Sequence, residues 1–338
     1  MIRFTLASAC VTAALATPAV QAQVVLNANM WLPPTHPTSA TLVPLCEDMA
    51  KATSGRVKCN ILSKAVVSPV QTFDAVKNGV ADISYIVDGY TPGRFQMSKM
   101  AEMPFLGNAA DSISVAYHRT YEKFLKKADE HKGVKVLAVA THGPGQLFTK
   151  KPINSLEDLK GLKIRTGGGL VNDVIKDLGA VGMFKAAPEV YELMAGGIID
   201  GFVFAKESVH VLKLIPLFTH NTAFPGGLYN VTFTYLMNEA KWAQISKQDQ
   251  AALEKLFGEH LALRNGKTWE VVDAQGVAEM KKAGIVISTP SPKFVAEVAA
   301  KIKHLEQDWI KSANAKGIDG AAALKFFRAE IAALEKRS

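Results

Sequence analysis

The chain has 338 residues, of which 48% are hydrophobic and 21% are charged, with a formal net charge of +8. A chain of this length and apolar content can bury a large core, most simply as two lobes. Its basic residues are scattered among acidic ones, apart from short pairs such as Lys150-Lys151, so the charge pattern excludes a nucleic-acid partner and suits small anionic ligands.

The first 22 residues have the pattern of a secretory signal peptide. Arg3 supplies the positive start, residues 4–16 the apolar run, and Val20-Gln21-Ala22 a small-residue cleavage site. We therefore expect an exported, periplasmic protein whose mature chain begins at Gln23. The apolar run is too short for a permanent span, and no later segment approaches about 20 apolar residues, so we expect a protein that does not span the membrane.

Alternating strand-like and helix-like runs predict an α/β fold with mixed sheets flanked by helices. The first lobe is predicted to contain, in chain order, strand 24–30, helix 39–52, strand 57–62, helix 69–77, strand 81–87 and strand 134–140. Cys46 lies on the first of these helices and Cys59 on the strand after it. In an oxidising compartment they could form a disulfide, and two packed free thiols are the alternative.

The stretch His142-Gly143-Pro144-Gly145 predicts the first crossing into a second lobe. That lobe is predicted to contain strand 162–165, helices 171–178 and 188–194, and strand 201–204. Strand 231–237 then returns to the first lobe, and helices over 248–282, 294–309 and 321–334 brace both lobes. We therefore expect the first lobe to comprise 23–142 and about 230–268, and the second 143–229 and about 269–338.

The most informative residue is Arg165, which ends a predicted strand just before Gly167-Gly168-Gly169. Ser155 and Asp158 predict a short capped helix before this strand. In open α/β sheets ligands collect outside the carboxyl ends of strands, where an arginine can present its planar fork of donors to a carboxylate. A salt bridge at the surface or between the lobes is the alternative. Three successive glycines predict a close backbone approach beside the arginine, with Gly168 as a further binding residue.

Other residue patterns favour binding over catalysis. The sequence has no Gly-x-Ser-x-Gly elbow, no His-Glu-x-x-His helix and no convincing acid–base pair. Its histidines show no metal-ligand spacing, so we expect no metal and no cofactor. Four aromatic residues fall at predicted strand ends facing the cleft, with core packing as the alternative: Trp31, Tyr85, Phe204 and Tyr229. Asn230, directly after Tyr229, is a further candidate binding residue.

Several motifs, in order along the chain, carry a family resemblance. They are Thr53-Ser54-Gly55-Arg56-Val57, Asn78-Gly79-Val80-Ala81-Asp82, Met103-Pro104-Phe105-Leu106, Leu159-Lys160-Gly161-Leu162-Lys163-Ile164-Arg165, Glu189-Val190-Tyr191-Glu192-Leu193, Gly197-Ile198-Ile199-Asp200-Gly201 and Leu236-Met237-Asn238 with Trp242. With them the chain resembles the solute-binding proteins of TRAP (tripartite ATP-independent periplasmic) transporters, of the C4-dicarboxylate-binding type.

The resemblance implies a two-lobed binding protein that closes on a small organic acid and delivers it to the TRAP membrane permease. It implies that Arg165 binds the ligand's carboxylate. A second arginine of some relatives is absent here, where Gln146 is the nearest polar group, and an asparagine of others appears as Phe204. Both departures favour a monocarboxylate with an apolar or aromatic body, packed by Trp31, Tyr85 and Phe204. The alternatives are an exported enzyme on the same scaffold and a sensor subunit that presents bound ligand.

Overall fold

A computed structural model of the protein describes residues 23–336. The predicted signal peptide lies outside these residues. The strands are β1 (Val24–Ala28), β2 (Val57–Ile61), β3 (Ile83–Val87), β4 (Val134–Thr141), β5 (Gln146–Thr149), β6 (Lys163–Thr166), β7 (Val181–Phe184), β8 (Gly201–Phe204), β9 (His220–Thr222), β10 (Thr232–Asn238) and β11 (Val286–Ser288).

The helices flank two sheets. They are α1 (Pro37–Ala52), α2 (Thr72–Lys77), α3 (Ala110–Thr120), α4 (Leu170–Asp177), α5 (Val190–Ala195), α6 (Ser208–Val211), α7 (Glu239–Gln244), α8 (Lys247–Leu253), α9 (Glu259–Lys282), α10 (Pro292–Ile302), α11 (His304–Ala315) and α12 (Gly320–Glu335). Among the described residues, no helix combines the length and the apolar character that a bilayer crossing requires.

The first sheet has five strands in the order β2-β1-β3-β10-β4. β1 runs parallel to β2 and β3, whereas β10 is antiparallel to β3 and β4. Every residue of β3 and β10 is buried. Apolar and β-branched residues on both faces of these central strands explain that burial, because helices cover both sides of the sheet.

The second sheet has six strands in the order β11-β9-β5-β8-β6-β7. β6 is parallel to β7 and β8, and β5 is antiparallel to β8 and β9. The two mixed sheets flanked by helices confirm the predicted fold class. The lobes are named below by these two sheets, the five-stranded sheet marking the first lobe and the six-stranded sheet the second.

The long helix α9 packs against both lobes. It contacts α1, α3 and β4 on the first side, and α6 and β11 on the second. Two glycines allow direct backbone contact: a Cβ on Gly266 would lie 2.2 Å from the Cα of Asp111, and one on Gly276 would lie 2.1 Å from the carbonyl oxygen of Lys206. Neither position has room for a side chain.

Some local predictions are wrong. Ser155 does not cap a helix, because the Asp158 carboxylate accepts hydrogen bonds from its hydroxyl, its backbone N–H and that of Asn154. The helix predicted over 294–309 is two helices, α10 and α11. The C-terminal helix α12 packs on α3 of the first lobe. Of the two states that the sequence left open for the cysteine pair, the structure has the disulfide between Cys46 and Cys59.

Candidate functional site

A cavity lies between the two sheets, around the carboxyl end of β6. The first lobe contributes Trp31, Tyr90 and His142 to its wall, the second Arg165 and Phe204, and α9 contributes Trp269. The space open to the centre of a water molecule is ≈ 30 Å³, within ≈ 380 Å³ between the surrounding atoms. A cavity between two lobes, with few polar groups in an aromatic wall, is typical of a site for a small ligand.

Arg165 is only 1% exposed. Its Nε donates to the carbonyl oxygen of Lys185 at 2.8 Å, one Nη to the carbonyl oxygen of Val203 at 3.3 Å, and the other Nη to the Tyr90 hydroxyl at 3.4 Å. A guanidinium has five N–H groups, so these contacts leave two for a ligand, one on each terminal nitrogen. Within residues 23–336, no carboxylate lies within ion-pair distance of this group.

Aromatic rings hold the guanidinium and form the wall beside it. The central carbon of Arg165 lies 4.1 Å from the centre of the Phe204 ring, a cation–π contact. The Trp31 ring lies 5.7 Å from that of Tyr90, and the Tyr90 ring lies 5.8 Å from that of Phe184. The Tyr90 hydroxyl also accepts a hydrogen bond from the backbone N–H of Ala187 at 2.8 Å. Tyr90 therefore links the first lobe to two points of the second.

The other titratable groups at the cavity favour their neutral forms. Burial lowers the pKa of His36 and of His142 to about 3, so both imidazoles are uncharged at neutral pH. Burial and the nearby carboxylate of Asp273 raise the pKa of Glu207 well above its usual range. The cavity wall thus carries one net positive charge, that of Arg165. Asp273, which accepts a hydrogen bond from the backbone N–H of Glu207, has a pKa raised to about 6 by burial.

Protein contacts also join the lobes beside the cavity. The Glu102 carboxylate accepts hydrogen bonds from the backbone N–H of Leu170, at the start of α4, and from the hydroxyl of Thr232 on β10. Lys99 and Asp173 form an ion pair of 3.4 Å across the same boundary. The lobes are therefore closed on each other in this structure.

The cavity brings together three of the predicted binding residues. Arg165, Trp31 and Phe204 line it, and Gly167 lies beside the guanidinium. Gly168 does not line the cavity. It packs instead against the carbonyl group of Gly89 on the first lobe, where its φ of +73° suits glycine.

Three other predicted residues lie outside the wall. The Tyr85 hydroxyl is bonded to Ser39 and to the backbone N–H of Leu32, so Tyr85 supports the segment that carries Trp31. The Gln146 amide is occupied by the carbonyl and N–H groups of Phe224. Asn230 is buried, and neither of its amide atoms has a hydrogen-bond partner among the described residues.

The sequence analysis missed six wall residues that carry polar groups: His36, Tyr90, His142, Glu207, Ser208 and Trp269. Tyr90 follows β3 on a short 3₁₀ turn, five residues after Tyr85, so the strand-end argument selected the wrong tyrosine for the wall. The described part of the chain contains no group of three metal-ligating side chains.

Comparisons with known proteins agree with this geometry. The family model described as "Bacterial extracellular solute-binding protein, family 7" matches residues 28–312. A protein named outer membrane transporter protein TsaT, from Comamonas testosteroni, is 32% identical over 90% of this chain and 91% of its own length.

Two solved structures are also similar. A TRAP periplasmic solute-binding protein from Bordetella bronchiseptica, with bound (R)- and (S)-mandelate, is 46% identical, with a TM-score of 0.90 over 92% of this chain and 99% of its own. A TRAP solute-binding protein from an unidentified marine microbe, described as specific for aromatic acid ligands and solved with metahydroxyphenylacetate, is 34% identical. Its TM-score is 0.85 over 92% of this chain and 99% of its own.

Proposed function

The chain belongs to family 7 of the bacterial extracellular solute-binding proteins, and from this premise we propose that it captures an aromatic monocarboxylate in the cavity around Arg165. It is a TRAP solute-binding protein, and its partner is the membrane permease of such a transporter. We place it in the periplasm, reached through the signal peptide predicted over residues 1–22.

The observation that carries the proposal is the buried, unpaired guanidinium of Arg165. Burial of a cation is costly unless an anion compensates it. In residues 23–336 no carboxylate is close enough to do so, and two N–H groups remain for a ligand. A carboxylate accepts two parallel bonds from such a fork. The Tyr90 hydroxyl, which accepts from Arg165 and Ala187, can donate its own proton to the same carboxylate.

The charge of the wall limits the ligand to one carboxylate. Arg165 supplies one positive charge. His36 and His142 are neutral at pH 7, and burial favours the neutral form of Glu207. A second carboxylate on the ligand would enter the aromatic part of the wall without a cation beside it. The same rings suit an aromatic body, because burial stabilises by about 25 cal/mol per Å² of apolar area. The mandelate and metahydroxyphenylacetate bound by the two similar structures are aromatic monocarboxylates.

Closure follows from the placement of these groups on different lobes. Arg165 and Phe204 belong to the second lobe, whereas Trp31 and Tyr90 belong to the first. A ligand that touches both sets binds the closed form more tightly than the open form, and so shifts the equilibrium towards closure.

We propose further that the protein binds this acid without converting it. A general base at neutral pH needs a pKa near 7. The two imidazoles of the wall have a pKa of about 3, and burial favours the protonated form of the Glu207 carboxyl. These groups are suited to hydrogen bonding and not to proton abstraction.

Isothermal titration calorimetry with matched ligands tests the proposal. Phenylacetate is expected to bind. 2-Phenylethanol should bind at least about 100-fold more weakly, because it lacks the anion. Phenylmalonate should bind more weakly than phenylacetate, because it adds a second carboxylate. Tighter binding of phenylmalonate or of the aliphatic acid succinate would contradict the assignment. Unchanged phenylacetate, recovered after incubation with the protein, is the expected result for a binding protein.

A further inference from the structure

We infer that His36, His142 and Glu207 form a second recognition group in the cavity, which binds a hydroxyl group of the ligand. The inference rests on the proposed function and narrows the ligand class from aromatic monocarboxylates to hydroxylated ones. All three side chains line the cavity and are more than nine-tenths buried. No hydrogen bond or ion pair between described residues joins any of them to Arg165.

His142 presents a hydrogen-bond acceptor. Its Nδ1 donates to the carbonyl oxygen of Gly143, which fixes the proton on that nitrogen. Its Nε2 therefore carries a lone pair, and this atom has no hydrogen-bond partner among residues 23–336. The low pKa of His142 keeps the lone pair available throughout the neutral range.

His36 presents a donor. Its Nδ1 accepts a hydrogen bond from the backbone N–H of Thr38 at 3.3 Å, so the proton of the neutral ring lies on Nε2. That atom lies 3.7 Å from the nearer carboxyl oxygen of Glu207, beyond hydrogen-bond distance. The edge of the His36 ring meets the face of Trp269 at a centroid distance of 5.2 Å, which holds the ring in place.

Glu207 completes the group with a carboxyl group, of which only one oxygen has a hydrogen-bond partner in the described chain. Oε1 accepts a hydrogen bond from the Ser208 hydroxyl, whereas Oε2 has no hydrogen-bond partner in the described chain. Polar atoms buried without partners are costly. The cavity wall carries three of them among the described residues, His142 Nε2, Glu207 Oε2 and Trp269 Nε1, and so favours a ligand that pairs with them.

A hydroxyl fits this group better than a charged substituent. It can accept from the His36 Nε2–H and donate to the His142 Nε2, and neither contact requires a change of protonation. A second anion would meet a lone pair and an uncharged acid. An ammonium group would need an ionised Glu207, which burial beside Asp273 opposes.

The experiment compares four acids that share one skeleton: phenylacetate, mandelate with an α-hydroxyl, 3-hydroxyphenylacetate with a ring hydroxyl, and phenylglycine with an α-ammonium. Calorimetry should give at least one hydroxy acid a dissociation constant about tenfold or more below that of phenylacetate, the value of a net hydrogen bond or two. The hydroxy acid that binds more tightly than phenylacetate identifies the position at which the ligand's hydroxyl group is recognised. Phenylglycine should bind more weakly than mandelate.

The variant His142→Phe keeps a ring of similar shape and deletes the acceptor. The ratio of the phenylacetate to the hydroxy-acid dissociation constant should fall towards one. His131→Phe is the matched control, because His131 is also a buried neutral histidine with one side-chain partner, Thr234, and does not line the cavity. It should leave the ratio unchanged. If His142→Phe does not fold, His36→Phe, which keeps the contact with Trp269, takes its place.

The outcomes separate the inference from the proposed function. Equal affinity for phenylacetate and both hydroxy acids, or phenylglycine binding as tightly as mandelate, overturns the inference while phenylacetate binding upholds the function. An unchanged ratio in the histidine variants also overturns the inference. Failure of all four acids to bind overturns the function and, with it, the inference.

Discussion

Replacing Arg165 by methionine should separate the contribution of the guanidinium to binding from its contribution to stability. Methionine keeps an unbranched side chain that can lie on the Phe204 ring, but it has no charge and no donors. In the native structure the guanidinium makes three hydrogen bonds to protein and leaves two N–H groups for a ligand. The variant therefore removes both charge-assisted bonds to the acid.

The size of the effect follows from these counts. Two charge-assisted bonds contribute about 1.5–3 kcal/mol each, and loss of one partner of a buried pair costs about 2–5 kcal/mol. A loss of about 4 kcal/mol corresponds to about a 1,000-fold weaker affinity. Stability should change much less. The carbonyl groups of Lys185 and Val203 lose a donor, but a buried, unpaired cation disappears, and its desolvation costs several kcal/mol. We expect the free energy of unfolding to change by less than about 2 kcal/mol.

Calorimetry with phenylacetate and urea unfolding of the free protein measure the two quantities side by side. Arg165→Lys is the matched control: it keeps the charge but loses the planar fork, so its affinity should lie between those of the native protein and the methionine variant. The reasoning is refuted if the methionine variant binds phenylacetate within tenfold of the native protein. It is also refuted if the variant loses as much unfolding free energy as binding free energy.

Three further predictions concern groups around the site. Tyr90→Phe removes the hydroxyl that joins the lobes, so calorimetry should show about tenfold weaker binding; unchanged affinity would remove Tyr90 from the site. The double variant Cys46→Ala/Cys59→Ala opens a loop with a sequence separation of 13, which should lower the free energy of unfolding by about 3 kcal/mol. Its affinity for phenylacetate should not change, because neither cysteine lines the cavity, and a parallel loss of affinity would contradict this. Asp273 has a folded pKa of about 6, raised from 3.8, so the stability associated with its proton is complete below pH 3.8 and is lost as the pH rises through 6. Asp273→Asn should therefore be more stable than the native protein at pH 8 by about 1–3 kcal/mol, an advantage that shrinks towards pH 4. A difference that is constant with pH in urea titrations would count against the buried carboxylate as its cause.

Much of the fold could be predicted from the sequence, because its central elements have regular patterns. The apolar runs that form β3, β4 and β10 have the composition of strands buried on both faces. The missed elements lack such patterns. β9 and β11 are strands of only three residues, and β7 contains Gly182 within four. Helix α3 is buried around most of its circumference, and its buried residues include Ser112, Ser114, His118 and Thr120, so hydrophobicity does not mark its buried face.

The site was predictable only in part, because most of its wall residues do not belong to a recognisable sequence pattern. Arg165 could be located because strand, glycine turn and charge coincide in one short segment. The wall residues His36, Glu207 and Trp269 come from three distant segments. Their local sequences indicate only a turn, the start of a helix and an amphipathic helix, respectively. The Ser208 hydroxyl pairs with Oε1 of the adjacent Glu207 and leaves Oε2 without a partner among the described residues, a detail of side-chain geometry that the sequence does not show.

The unpaired charge of Arg165 also bears on how the permease distinguishes loaded molecules from empty ones. Contacts such as those of Glu102 are made by protein groups alone, and by themselves they would favour closure of loaded and empty molecules alike. Shutting an empty cleft, however, would strip water from a cation that has no anion to replace it. We expect this electrostatic penalty to keep the empty population open, so that unloaded copies do not compete for the transporter.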